Sequence, residues 1–84
     1  MENKVLVEVI VPSIEKKYDI YLPVNKRIGN VIEYIGKGIY EFTTGDFKIN
    51  DSMCLYNSYT GIRYDNNAII RKTDIRNGTK LVLL

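Results

Sequence analysis

Apolar residues alternate along the first stretch of the chain and then recur every three or four positions, and this change of period sets the elements. Val5 to Val11 reads Val-Leu-Val-Glu-Val-Ile-Val. β-branched side chains at that density suit a pleated, half-buried surface and predict a first strand. A period of two puts Val5, Val7 and Val9 on one face and Leu6, Glu8 and Ile10 on the other, with Glu8 marking the second face as the wetter. Pro12-Ser13 breaks the pattern, and Tyr18 to Leu22 resumes it, with Tyr18, Ile20 and Leu22 set against Asp19 and Tyr21. Two strands joined so closely predict a hairpin. Pro23 ends the second strand, and Asn25 is placed to cap a helix, its side-chain oxygen accepting from a free backbone N–H.

The period then lengthens. Ile28, Val31, Ile32, Ile35 and Ile39 follow one helical face, while Arg27, Asn30, Glu33 and Lys37 fall elsewhere, so a helix is predicted to run from this cap to about Gly38 to Tyr40. Gly29, Gly36 and Gly38 among so many β-branched residues make it weak by propensity, and packing against a sheet has to hold it. From Thr43 to Ser52 turn formers dominate, which predicts a loop and the segment expected to move most. Met53 to Asn57 reads as a short strand and Gly61 to Tyr64 as another. Asp65-Asn66-Asn67 and Asn77-Gly78 read as turns, and Lys80 to Leu84 as the last strand.

One helix and this order of strands predict an α+β fold, a mixed four- to five-stranded sheet covered on one face by a single helix, which is the β-grasp layout. At 84 residues and 45% hydrophobic, residues 1–84 fit a single domain with one core. No internal repeat, linker or low-complexity tract interrupts it.

Twelve Lys and Arg against ten Asp and Glu give a net charge of +2 with the signs interleaved. A nucleic-acid binder neutralises several phosphates at once, and the pairs Lys26-Arg27 and Arg71-Lys72 are too short for that alone, so no nucleic-acid partner is expected. Cys54 is the only cysteine, which excludes an intramolecular disulfide and points to a reducing cytoplasm. The polar start Met1-Glu2-Asn3-Lys4 is unlike a signal peptide, and no apolar run is long enough to insert into a membrane.

Catalytic chemistry has little to work with. There is no histidine, which removes the usual general base near neutral pH and leaves Cys54 without a Cys-His pair; a lone cysteine in a strand reads as a small apolar residue. Zinc would want Cys and His at short spacings. Asp46, Asn50 and Asp51 lack the alternating ligands of a calcium loop, and Gly36-Lys37-Gly38 lacks the spacing of a phosphate loop. No metal, cofactor or catalytic residue is assigned, and the chain is expected not to be an enzyme.

The stretch Ile70-Arg71-Lys72-Thr73-Asp74-Ile75-Arg76-Asn77-Gly78-Thr79-Lys80-Leu81-Val82-Leu83-Leu84, with Tyr18-Asp19-Ile20-Tyr21-Leu22-Pro23 and Ile28-Gly29-Asn30-Val31-Ile32, resembles the small bacterial ubiquitin-like proteins of the YukD/EsaB type across nearly the whole chain. In that pattern a turn of helix and a Gly-Asp-x-Leu-x-Leu phrase lead into the central strand, and Thr79 departs from it where the family often has Asp. The resemblance implies a cytoplasmic accessory or regulatory factor of type VII secretion systems, which export WXG-type helical-hairpin proteins, with a membrane secretion ATPase or another secretion subunit as partner. Ubiquitin and the sulfur carriers end in a Gly-Gly tail; this sequence ends in Leu83-Leu84, and conjugation or sulfur carriage is not expected. A β-grasp carrier or modifier and a nucleic-acid-binding β-grasp module stand as the alternatives.

A single helix covers one side of the sheet, so strand parity names the residues left on the other: Leu6, Ile10, Tyr21, Cys54, Tyr56 and Val82. Apolar and tyrosine side chains on an open face suit protein binding, and this set is the candidate site. Incidental exposure of residues that fill a half-buried sheet is the bland alternative. Two copies pairing through the same patch would give a homodimer. Tyr18, Tyr34 and Tyr40 are expected at the edge of the core.

Overall fold

The alternating segments become an antiparallel ribbon in the computed structural model, which describes residues 3–84. Strand β1 (Lys4–Val11) pairs with β2 (Lys16–Pro23) in a register that sets Val5 opposite Leu22, Val7 opposite Ile20 and Val9 opposite Tyr18. A 3-10 turn, Pro12–Ile14, joins them and is closed by Glu15 in the left-handed region at φ 53°. Val7, Val9, Val11 and Leu22 are buried, so the parity read from the sequence is the parity of the fold.

Helix α1 (Ile28–Phe42) lays Ile28, Val31, Ile32, Ile35 and Ile39 against the sheet. Its N-cap is Arg27, and no side chain caps it. Asn25 therefore does not play the expected part; its Oδ1 accepts instead from the Arg71 guanidinium at 3.2 Å. The free N–H groups are satisfied from another loop, Ile28 donating to the Ala68 carbonyl and Gly29 to the Asn66 carbonyl, each at 2.9 Å, so a tertiary contact replaces the cap. The helix also runs past Tyr40. Phe42 stacks on Tyr18 with ring centroids 5.4 Å apart, which holds the last turn on the hairpin. Thr43 then closes the end, its hydroxyl donating to the Ile39 carbonyl at 2.8 Å.

The helical glycines differ in their surroundings. A Cβ on Gly36 would stand 3.0 Å from the Ile49 Cβ, whereas one on Gly38 meets nothing within 4 Å. Gly38→Ala is expected to stabilise the fold by about 0.5–1 kcal/mol through helix propensity alone. Gly36→Ala is expected to return less, since Ile49 must move. Urea denaturation of the two variants checks the ordering.

Strand β3 (Leu55–Asn57) and strand β4 (Lys80–Leu83) complete a four-stranded sheet in the order β2-β1-β4-β3. β4 runs parallel to β1 and antiparallel to β3. The fifth strand expected at Gly61 to Tyr64 is reduced to one bridge, Arg63 to Tyr56. The chain comes off a turn at Gly61, with φ +73°, and by Asp65 it is turning again, so a single residue reaches ladder geometry. Before β4, Asn77 and Gly78 form the expected turn: Leu6 N–H donates to Asn77 Oδ1 and Gly78 N–H to the Leu6 carbonyl, both at 2.8 Å. Thr79 closes the same turn, its Oγ1 accepting from the Arg76 N–H at 2.8 Å.

The core joins the buried faces of β1, α1 and β4 to Leu55, Ile70 and Ile75. Phe47 belongs to it too, 4% exposed. The segment read as a turn-rich loop is thus anchored near its middle, and Phe47 N–H is also tied to the Thr43 hydroxyl at 3.1 Å.

Candidate functional site

Cross-strand register decides which of the six candidate residues meet. Ile10 lies beside Val82, and Val82 lies opposite Tyr56, so these three form one row across β1, β4 and β3. Leu6 lies opposite Tyr21 in a second row on β1 and β2. Cys54 stands one residue before β3 and exchanges both backbone bonds with Leu84, at 2.8 and 3.0 Å, which extends the sheet by one more pair. The structure brings all six to the face that α1 leaves uncovered. Leu6 and Tyr21 are exposed, whereas Ile10, Cys54, Tyr56 and Val82 are half-buried.

The face is not a continuous apolar patch. Between the two rows runs a polar band in which Glu8 lies opposite Asp19 and beside Lys80. The Glu8 carboxylate draws in Lys17 at 3.6 Å and Lys80 at 3.9 Å. These exposed pairs add little to stability, but they fix a charged divide that any partner must match. Glu8 was legible as the wet position of β1; its two cations come from the fold.

Arg63 is a further member. It bridges to Tyr56, and its guanidinium reaches Cys54 Sγ at 3.7 Å, so it flanks the Tyr56 row on the outer side of β3. Reading Gly61 to Tyr64 as a strand put this segment beside β3, but the register that sets Arg63 opposite Tyr56 comes from the turn and was not legible in the sequence. Beyond it, Tyr59 is 99% exposed at the tip of a turn held by Asn57, whose Oδ1 accepts from the Tyr59 and Thr60 N–H groups. Nothing in the sequence pattern set Tyr59 apart from the other tyrosines. Of the three tyrosines expected at the core edge, Tyr18 is partly buried while Tyr34 and Tyr40 are exposed.

Among the described residues one titratable group is strongly displaced, and its cause is structural. The Tyr64 hydroxyl donates to Asp74 at 2.6 Å and accepts from Asn57 at 3.0 Å, clipping the segment beside β3 to the chain that leads into β4. Burial first, and the Asp74 carboxylate second, push its pKa up to about 12 from 10.0. A folded-state pKa above the unfolded one gives stability that is complete below pH 10.0 and lost as pH rises toward about 12. Thermal melts between pH 9 and 12 are expected to show a steeper alkaline loss for the native chain than for Tyr64→Phe, and equal slopes would remove Tyr64 as the cause.

Among the described residues no group of Cys, Asp or Glu converges as a metal site, and no helix is long and apolar enough to cross a membrane. No family model matches the sequence, and no curated protein matches it. Solved structures do. The ubiquitin-like domain of EccD5 from Mycobacterium xenopi is similar with a TM-score of 0.77 at 14% identity, over 96% of this chain and 92% of that one. The ubiquitin-like domain of the Mycobacterium tuberculosis type VII secretion system protein ECCD1 gives 0.73 at 12% identity, over 96% and 97%. The N-terminal ubiquitin-like domain of the 4931431F19Rik protein gives 0.75 at 18% identity, over 98% and 74%. What the chain shares with all three is the ubiquitin-like β-grasp fold, one helix packed on a mixed four-stranded sheet.

Proposed function

We propose that the chain is a non-catalytic protein-binding module, a ubiquitin-like accessory or regulatory factor of a type VII secretion system that works in the cytoplasm. The observation that carries the binding role is the gathering of Leu6, Ile10, Tyr21, Cys54, Tyr56 and Val82 on the uncovered sheet face, with Arg63 beside them. Tyrosine and arginine around half-buried aliphatic side chains offer contact area at low entropic cost. The secretion role draws on the YukD/EsaB resemblance and on the fold shared with two EccD domains. Its partner is a secretion-system protein, with a membrane ATPase or another core subunit first in line.

Affinity capture from gently solubilised cells of the source, read by mass spectrometry, tests both parts. Secretion subunits are the expected catch; an adenylating enzyme or nucleic acid would replace this reading with a carrier or an RNA-binding one. A Tyr21→Ser, Tyr56→Ser variant is expected to keep the fold, since both rings stand on the open side, and to weaken capture by about tenfold or more. Undiminished capture by a folded variant would move the binding surface elsewhere.

A further inference from the structure

The basic pairs Lys26-Arg27 and Arg71-Lys72 are each too short to hold a polyanion alone, but the fold joins them. The first lies in the loop between β2 and α1, the second in a 3-10 turn, Ile70–Lys72, that precedes β4. Backbone bonds lace the two segments together. Ile70 N–H donates to the Lys26 carbonyl at 3.0 Å, Arg71 N–H donates to the Val24 carbonyl at 2.9 Å, and Arg27 and Ile69 form a β-bridge. The Arg71 guanidinium adds a side-chain tie, donating to Asn25 Oδ1 at 3.2 Å.

Lys26, Arg27, Arg71 and Lys72 are all exposed, and the two ion pairs among the described residues both belong to Glu8. The four cations thus share one small region without a carboxylate beside them, and they repel one another there. Arg71, held by Asn25, keeps the remaining N–H groups of its planar fork for an acidic group.

The charges around this junction select the kind of anion. Lys4, opposite Pro23, adds a cation at the same end of the sheet. Lys16 and Lys17, however, stand at the far end of β2, and the Arg76 guanidinium is taken up by the Thr73 and Ile75 carbonyls. No long basic stripe is left for a nucleic-acid backbone to follow. Asp65 and Asp74 stand on either side of Arg71-Lys72 along the chain, and a broad anionic surface such as a membrane would press against them too. Val24 and Ile69 are half-buried, so the junction offers no large apolar side chain for a bilayer to take up. A short acidic segment, whose carboxylates reach the cations individually, meets none of these obstacles.

We propose that the junction of the β2–α1 loop with the Ile70–Lys72 turn is a second contact surface, which takes an acidic segment of a partner protein on Lys26, Arg27, Arg71 and Lys72. This rests on the reading of the chain as a protein-binding module and adds the chemistry of one contact. None of the four residues belongs to the sheet-face set.

The test is a titration of the full chain at low ionic strength with a synthetic peptide in which Glu alternates with Ser, followed by amide chemical shifts. Shifts are expected over 24–27 and 69–73 and not at Leu6, Tyr56 or Val82. Lys26→Gln with Lys72→Gln is expected to weaken the peptide by about tenfold, as for the loss of two exposed charge contacts. Lys37→Gln with Lys48→Gln, which removes the same charge from exposed positions elsewhere, is expected to change the affinity by less than about twofold. The Lys26, Lys72 variant is also expected to melt no lower than the native chain, since it loses repulsion and no ion pair. Shifts that miss the junction, equal weakening by the two variants, or a lower melting temperature for the Lys26, Lys72 variant overturns the proposal. An RNA strand of equal charge, or vesicles containing anionic lipid, moving the same amides at lower concentration than the peptide overturns it in favour of that ligand. Failure of the tyrosine test above leaves this one standing, because the junction amides are read directly.

Discussion

Phe47→Ala is expected to destabilise the fold by about 3 kcal/mol and to lower its melting temperature by roughly 15 °C, in the range for removing a buried aromatic ring from a small domain. Phe47 is 4% exposed and is the only buried residue between α1 and β3. Its loss leaves Ile49 and Met53, both partly buried, as the remaining apolar attachments of that segment to the core. The effect should therefore be local as well as global, with hydrogen exchange across 43–54 rising more than elsewhere. Phe47→Leu is expected to recover most of the loss. Chemical denaturation followed by circular dichroism checks the first number, and a cost below about 1 kcal/mol would mean that the ring contributes little to the core.

Ile35→Ala sets two effects against each other. Alanine is the better helix former, worth roughly 0.5 kcal/mol at a position now held by a β-branched residue. Against this stands the removal of a fully buried side chain from the face of α1 that meets the sheet, which costs about 3–4 kcal/mol with the cavity it leaves. Packing wins by several-fold, and a net loss of about 3 kcal/mol is expected. The same substitution at exposed Glu33 is expected to change stability by only a few tenths, as propensity alone would have it. A small effect at Ile35 would contradict the view that tertiary contact holds this glycine-rich helix together.

These two positions mark how far the sequence could be read. Ile35 lies on a stripe of period 3.6, and the strand faces follow a period of two; burial along α1, β1, β2 and β4 was legible because one physical constraint repeats along each element. Phe47 sits in no repeat, and a lone aromatic among turn formers carries no sign of which way it points. The missing cap has a similar origin. Asn25 has the right chemistry, but the carbonyls of Asn66 and Ala68 serve the helix N-terminus from across the fold, and no local pattern announces a partner that distant. Parity placed all six candidate residues on the open face, whereas the Glu8 band with Lys17 and Lys80 depended on strand order, which periodicity does not specify.

Strand order also bears on how the protein is made. β4 is last in chain order and lies between β1 and β3, so β1 lacks its second strand partner and β3 its one strand partner until β4 is available. On a ribosome the β1–β2 hairpin and α1 emerge first with the inner side of β1 unpaired, and the sheet closes only once β4 has left the exit tunnel. Folding of this domain is thus expected to be governed by long-range pairing, and a nascent chain stalled before residue 80 presents an open strand edge to whatever chaperone is near.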